Sequence, residues 1–165
     1  MKIVVRLGLL VAVVALGFWL WTIFFPSVEK VIQKRMIALA DTATFDAQAN
    51  TINRATKALS FIDYFSSDAE IFVDLPGLGS HTFSGRDEIR ETANGGFATI
   101  PGLKTTFLDQ NIRVSADQQT ADVSCTVRVI IGGDKDSGFE EMHFQWRKKD
   151  GAWLITRAET VKTLK

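Results

Sequence analysis

With a single cysteine, Cys125, the chain can form no intramolecular disulfide, and its cysteine content leaves the redox compartment open. Two histidines, His81 and His143, and that one thiol make no zinc-ligand spacing. Asp134-Lys135-Asp136-Ser137-Gly138 resembles half of a calcium loop, but its glycine comes one position early and the twelfth-position glutamate is missing. It reads as a solvated turn. There is no Gly-x-Ser-x-Gly, and neither Gly77-x-Gly79 nor Gly95-Gly96 has the strand-to-helix context of a phosphate cradle. No metal and no cofactor is expected. Charge of one sign is lacking too: 19 basic residues cancel 19 acidic ones, and leaving out Lys2 and Arg6 gives 17 against 19, or −2, from residue 27 onward. A nucleic-acid partner, which calls for a basic face, is not expected. Proline is scarce, at three residues, and no internal repeat or low-complexity tract occurs. With 46% hydrophobic residues and twelve phenylalanines, the chain has the means to build a core.

What the chain does have is one long apolar run. Leu7 to Phe25 holds nineteen residues without a charge, about 28 Å as a helix, close to the thickness of a hydrocarbon core. Trp19 and Trp21 lie toward one end of it, where indole rings favour the membrane interface. A cleaved signal peptide is the rival reading, but its apolar region is usually shorter and ends in small residues, whereas this run ends Trp-Thr-Ile-Phe-Phe-Pro. Residues 1–26 are therefore expected to be a retained transmembrane anchor with a short head, and residues 27–165 a single domain. Basic residues flank the run on both sides, Lys2 and Arg6 before it and Lys30, Lys34 and Arg35 after it. The six-residue head favours the N-terminus inside and the domain extracytoplasmic, in a single-pass membrane protein.

Val28, Val31, Ile32, Met36 and Leu39 recur at helical spacing and predict a helix to about Ala40. A second helix is predicted over about Ala47 to Phe65, with Ile52, Ala55, Leu59, Ile62 and Phe65 as its apolar stripe and Ser66-Ser67-Asp68 as its breaker. Ala69 to Asp74 alternates as a strand, with Ile71 and Val73 on one face and Glu70, Phe72 and Asp74 on the other. Pro76 and its flanking glycines make a loop before a second strand. Ser84 and Asp87, near to a capping box, start a helix at Gly85-Arg86, and Asn94-Gly95-Gly96 is expected to end it. Strands follow over Leu103 to Val114, Ala121 to Ile131, Phe139 to Arg147 and Ala152 to Val161, the last two joined by the hairpin dipeptide Asp150-Gly151. Helices first and an antiparallel meander after them imply an α+β fold.

Three stretches carry a family resemblance. Tyr64-Phe65-Ser66-Ser67-Asp68-Ala69-Glu70-Ile71 resembles the approach to the first strand in the nuclear transport factor 2-like (NTF2-like) superfamily, in its bacterial SnoaL-like and ketosteroid-isomerase-like branches. Phe83-Ser84-Gly85-Arg86-Asp87-Glu88-Ile89 is similar to that family's helix start, and Asp150-Gly151-Ala152-Trp153-Leu154-Ile155 to its closing hairpin. The resemblance implies a cone-shaped fold: a curved, mostly antiparallel sheet wrapped by about three helices, often around a pocket. It implies Phe65, Val73, Met142 and Trp146 as pocket lining, and a homodimer through the open sheet face carrying Ser124, Thr126, Arg128, His143 and Gln145. Phe65, Ile71, Val73, Met142, Phe144, Trp146 and Ile155 should then meet in one cluster.

Some members of the family isomerise, dehydrate or cyclise their substrates. Carried over, the steroid-isomerase base falls on Val73 and its second acid on Met142, so neither carboxyl is present. Asp74, His81 and Tyr64 remain as a candidate acid–base set near the pocket mouth. Beside that stands a structural reading, with Asp74 ending a strand, His81 on a solvated loop and Tyr64 packed at a helix end. The leading expectation is a membrane-tethered domain that binds an apolar small molecule or a protein partner, a scaffolding role included, without catalysis. The alternative is a SnoaL-like enzyme acting on a hydrophobic substrate.

Overall fold

The computed structural model describes residues 14, 16 and 17, 27–75, 79–132 and 137–161. Apart from Val14, Leu16 and Gly17, the apolar run falls outside the described residues, and so do the expected anchor, its retention and its orientation. Among the described residues no helix is long and apolar enough to cross a membrane.

Among the described residues from 27 onward, three helices and six strands follow in the order α1 (Val28–Thr42), α2 (Thr51–Ile62), β1 (Phe65–Leu75), β2 (Gly79–Ser84), α3 (Arg86–Thr99), β3 (Leu103–Val114), β4 (Thr120–Ile131), β5 (Ser137–Lys149) and β6 (Ala152–Thr160). The strands form one sheet in the order β2-β1-β6-β5-β4-β3. Every neighbouring pair is antiparallel except β1 and β6, which run parallel. The cone-like α+β architecture matches the sequence-based expectation.

α1 buries Ile32, Met36 and Leu39, spaced four and three residues apart. It ends in threonines that turn back on the helix: Thr42 Oγ1 donates to the Leu39 carbonyl at 2.7 Å and Thr44 Oγ1 to that of Ala40 at 2.8 Å. α2 starts at Thr51, later than the spacing predicts, because Asn50 caps it by accepting the Asn53 N–H at 2.8 Å.

Four expectations need correction. Only the end of the apolar stripe read for α2 is buried: Ile62 is, with Ala58 from outside the stripe, whereas Ile52 is 78% and Leu59 55% exposed. Phe65 belongs to β1, where it pairs with Ile155, and Ser66 to Asp68 form a bulge within that strand rather than a break before it. α3 runs through Asn94-Gly95-Gly96 to Thr99, because Ile89, Ala93 and Phe97 recur every fourth residue as buried anchors. That packing outweighs about 1 kcal/mol of propensity lost at each glycine. At the start of α3, Glu88, not Asp87, reaches back, accepting the Ser84 backbone N–H at 2.7 Å.

The main core lies between the helices and the concave sheet face, around Ile32, Met36, Phe65, Phe144, Trp146 and Ile155. Of the expected cluster, Phe65, Phe144, Trp146 and Ile155 are buried in it and Ile71 and Met142 pack against it half-buried, whereas Val73 stands outside it. A second cluster of Ala43, Phe45, Ala58 and Phe97 fills the junction of α2 and α3. Ring contacts of Phe61 with Phe65 at 5.0 Å and with Phe97 at 5.9 Å join the two.

Candidate functional site

Strand register places the concave face in rows. At the narrow end Val114, Ala121, Trp146, Ile155 and Phe65 pair across the sheet. Ala121, Trp146, Ile155 and Phe65 are buried, with Trp146 and Phe65 1% and 2% exposed, so the middle of this row is filled by side chains, while Val114 at its edge is half-buried. Toward the wide end burial relaxes. Ile71, Val73, Phe83, Phe107, Val129 and Met142 are only half-buried, and all share the concave face. Phe107 meets Phe144 edge-on at 5.6 Å and forms the step between the two halves. The four lining residues expected from the sequence are thereby divided: Phe65 and Trp146 are sealed core, while Val73 and Met142 lie in the more open half. Phe83 and Phe107 went unnoticed there, although pairing Phe83 with Ile71 across the β1–β2 turn brings it to the same face.

The acid–base candidates do not converge. Val73 pairs with His81 and Asp74 with Ser80, so His81 shares the concave face while Asp74 falls on the other one. The Asp74 backbone N–H donates to Thr160 Oγ1 at 2.9 Å. His81 is exposed and stacks on Phe83 with 6.4 Å between rings. Tyr64 lies just before β1, its ring under the Arg35 guanidinium at 4.9 Å and its carbonyl accepting the Ile155 N–H at 2.7 Å. That is on the order of 30 Å along the strand from Asp74. Glu140 shares the concave face with His81, but three strand spacings separate them, roughly 14 Å. Among the described residues no group of three His, Cys, Asp or Glu side chains is placed to hold a metal ion.

Cys125 lies mid-strand between Val123 and Val127, opposite Met142. Burial pushes its thiol up to about 12. Alkylation of the native protein at pH 8 should therefore be slower than that of the unfolded chain by on the order of a thousandfold. Timed iodoacetamide labelling in buffer and in denaturant checks this.

The opposite, convex face carries a ladder of charge. Glu70 meets Arg157 at 3.6 Å, Arg157 meets Glu159 at 2.9 Å, and His143 stands between Glu159 at 3.6 Å and Asp122 at 3.4 Å. Such solvent-facing pairs contribute little stability individually. They do make this face polar, and among the described residues no helix packs on it; His143 lies on this outer side as its alternation with Met142 and Phe144 predicts.

Three helices on the concave side of a six-stranded sheet with a parallel β1–β6 pair define the cone-like nuclear transport factor 2 class of fold, also called cystatin-like. Residues 42–159 match the model of the SnoaL-like domain, and the chain belongs to that family. Comparison with curated proteins finds no match. Among solved structures, a cystatin-like-fold protein of unknown function from Nostoc punctiforme superposes with a TM-score of 0.60 at 16% identity, covering 82% of this chain and 92% of the other. One from Novosphingobium aromaticivorans, described as a candidate aromatic ring hydroxylase, gives 0.60 at 22% identity over 81% and 87% of the two chains. A second from that organism, described as a candidate scytalone dehydratase, gives 0.54 at 20% identity over 82% and 87%. At these identities the likeness concerns the fold.

Proposed function

We propose that this is a membrane-tethered SnoaL-like domain that binds an apolar small molecule on the wide half of its concave face, without catalysis. The observation that carries the reading is a run of half-buried apolar side chains on one half of that face: Trp146, Phe65 and Ile155 are sealed in the core, while Ile71, Val73, Phe83, Phe107, Val129 and Met142 form an apolar, half-buried cradle. An apolar surface with few polar groups suits a hydrophobic ligand. Catalysis would need a base and an acid within reach of one reacting atom, and Asp74, His81 and Tyr64 are spread over two faces and both ends of the strand. The tether rests on the uncharged run from Leu7 to Phe25, with the N-terminus inside and the domain extracytoplasmic.

Native mass spectrometry of the full chain should reveal a co-purifying apolar molecule. Met142→Arg and Val73→Arg should each weaken binding of an apolar fluorescent probe by about tenfold or more, by putting a charge in the cradle. Unchanged binding in both variants would defeat the proposal. The second reading, an isomerase, dehydratase or cyclase acting on a hydrophobic substrate, is favoured by one observation, His81 on the cradle side at its rim. Turnover lost in His81→Ala while probe binding stays intact would support it.

We also propose a homodimer through the convex face, where the charge ladder from Glu70 to Asp122 offers both signs to a second copy. Sedimentation at micromolar concentration should show a dimer that Arg157→Glu weakens. Monomer alone would count against this contact.

A further inference from the structure

The narrow end of the cone holds a cleft of about 720 Å³ where the first turn of α1, the 115–118 turn and the β5–β6 hairpin meet. Val28, Val31, Val114 and Trp153 line its apolar part, and Glu29 and Lys148 bring one charge of each sign. Neither belongs to an ion pair among the described residues. Arg147 and Lys149, which flank Lys148 in β5, alternate to the other face of the sheet, where both act on Asp68.

The cleft also lies where the chain arrives from the apolar run. Only Pro26 and Ser27 separate Phe25, the last residue of the run, from α1. From Phe25 to Ser27 the backbone spans at most about 7 Å, similar to the depth of one headgroup layer, about 5–7 Å. A domain joined so closely to a membrane span has no linker with which to stand away from the surface.

We propose that this narrow end is seated in the headgroup layer and that its cleft takes one zwitterionic phospholipid, with the phosphate at Lys148 and the headgroup ammonium at Glu29. The inference rests on the tether proposed above. The apolar residues receive the upper part of the acyl chains, and the paired signs select a headgroup that itself carries both. An anionic headgroup would satisfy Lys148 and be repelled by Glu29.

The full chain, reconstituted in vesicles of phosphatidylethanolamine and phosphatidylglycerol, tests this. Bimane is attached through Ala116→Cys in the 115–118 turn or through Ile131→Cys at the far end of β4, on the order of 35 Å away along the strand. Quenching by a headgroup nitroxide lipid should be stronger at 116 than at 131 by about threefold or more. Native mass spectrometry after mild detergent release should find one phosphatidylethanolamine bound. That lipid should be lost in Lys148→Glu and in Glu29→Lys, and regained in the double charge swap. Equal quenching at both positions, or lipid retention indifferent to both single variants, overturns the inference while leaving the tether in place. Release of the protein from the vesicles by carbonate washing overturns the tether, and this inference with it.

Discussion

Replacing Trp146 with alanine is expected to destabilise the domain by about 3–5 kcal/mol, a large share of the total stability of a domain this size. The indole is 1% exposed and sits between Ala121 and Ile155 in the filled half of the cone, so its removal leaves a cavity that the sheet cannot collapse to fill. Phe65→Ala, on the far side of Ile155, should cost a similar amount. Gln145, the preceding residue, faces the convex side, and Gln145→Ala should cost less than about 0.5 kcal/mol. Trp146→Phe should lie far nearer wild type, at about 1 kcal/mol. It keeps most of the ring and removes an indole N–H that is buried without a partner among the described residues. Urea unfolding of the four variants gives the comparison directly, and equal small losses at 145 and 146 would contradict the assignment of faces.

The second large effect is expected at Arg54, whose guanidinium spends all five of its N–H donors on backbone carbonyls. Nε donates to Ala49 at 3.0 Å, Nη1 to Phe97 at 3.3 Å and Ile100 at 2.5 Å, and Nη2 to Ala47 at 3.2 Å and Pro101 at 2.8 Å. The fork thus ties the end of α3 to the segment before α2, while its flat face lies over the Phe45 ring at 5.1 Å. A positive charge at the last carbonyls of a helix also opposes the helix dipole favourably. Arg54→Met should cost about 2–4 kcal/mol, less than five separate bonds because water can reach the outer carbonyls. Arg54→Lys should recover little of it, since an ammonium cannot present the planar fork. By contrast Lys57→Met, which removes one bond to the Asp41 carbonyl, should cost about 1 kcal/mol or less. The same unfolding experiment measures all three.

These two residues also show what the sequence reveals and what it conceals. The face of Trp146 is legible because β5 alternates Met142, Phe144 and Trp146 against His143 and Gln145, and a period of two needs no knowledge of the rest of the chain. The role of Arg54 is not, because Phe97, Ile100 and Pro101 lie more than forty positions away and are brought to it only by the packing of α2 on α3. That packing is also why α2 misleads in part: Ala58 and Phe61 face inward with Arg54 and Ile62, and the apolar Ile52 and Leu59 are left outside. In α3 the Gly95-Gly96 pair is a sound local stop signal, overruled by the anchors Ile89, Ala93 and Phe97. The candidate site suffers from the same limit. Asp74 and His81 are close in sequence, yet register alone decides that they part to opposite faces, and the β1–β2 register is set by pairing rather than by composition.

The parallel pairing of β1 with β6 has a consequence for how the chain is made. β6 sits in the middle of the sheet although it is the last strand in sequence, and it alone joins the β1–β2 hairpin to the β3–β4–β5 meander. Until residues 152–160 have been synthesised, the two halves of the sheet have no hydrogen-bonded connection, and the inner edges of β1 and β5 stand unpaired. Contacts separated by about ninety residues must close last, which makes for slow folding and a nascent chain exposed to edge-to-edge association. A truncation that removes only the final dozen residues would therefore not trim the domain at its margin; it would cut the sheet in two.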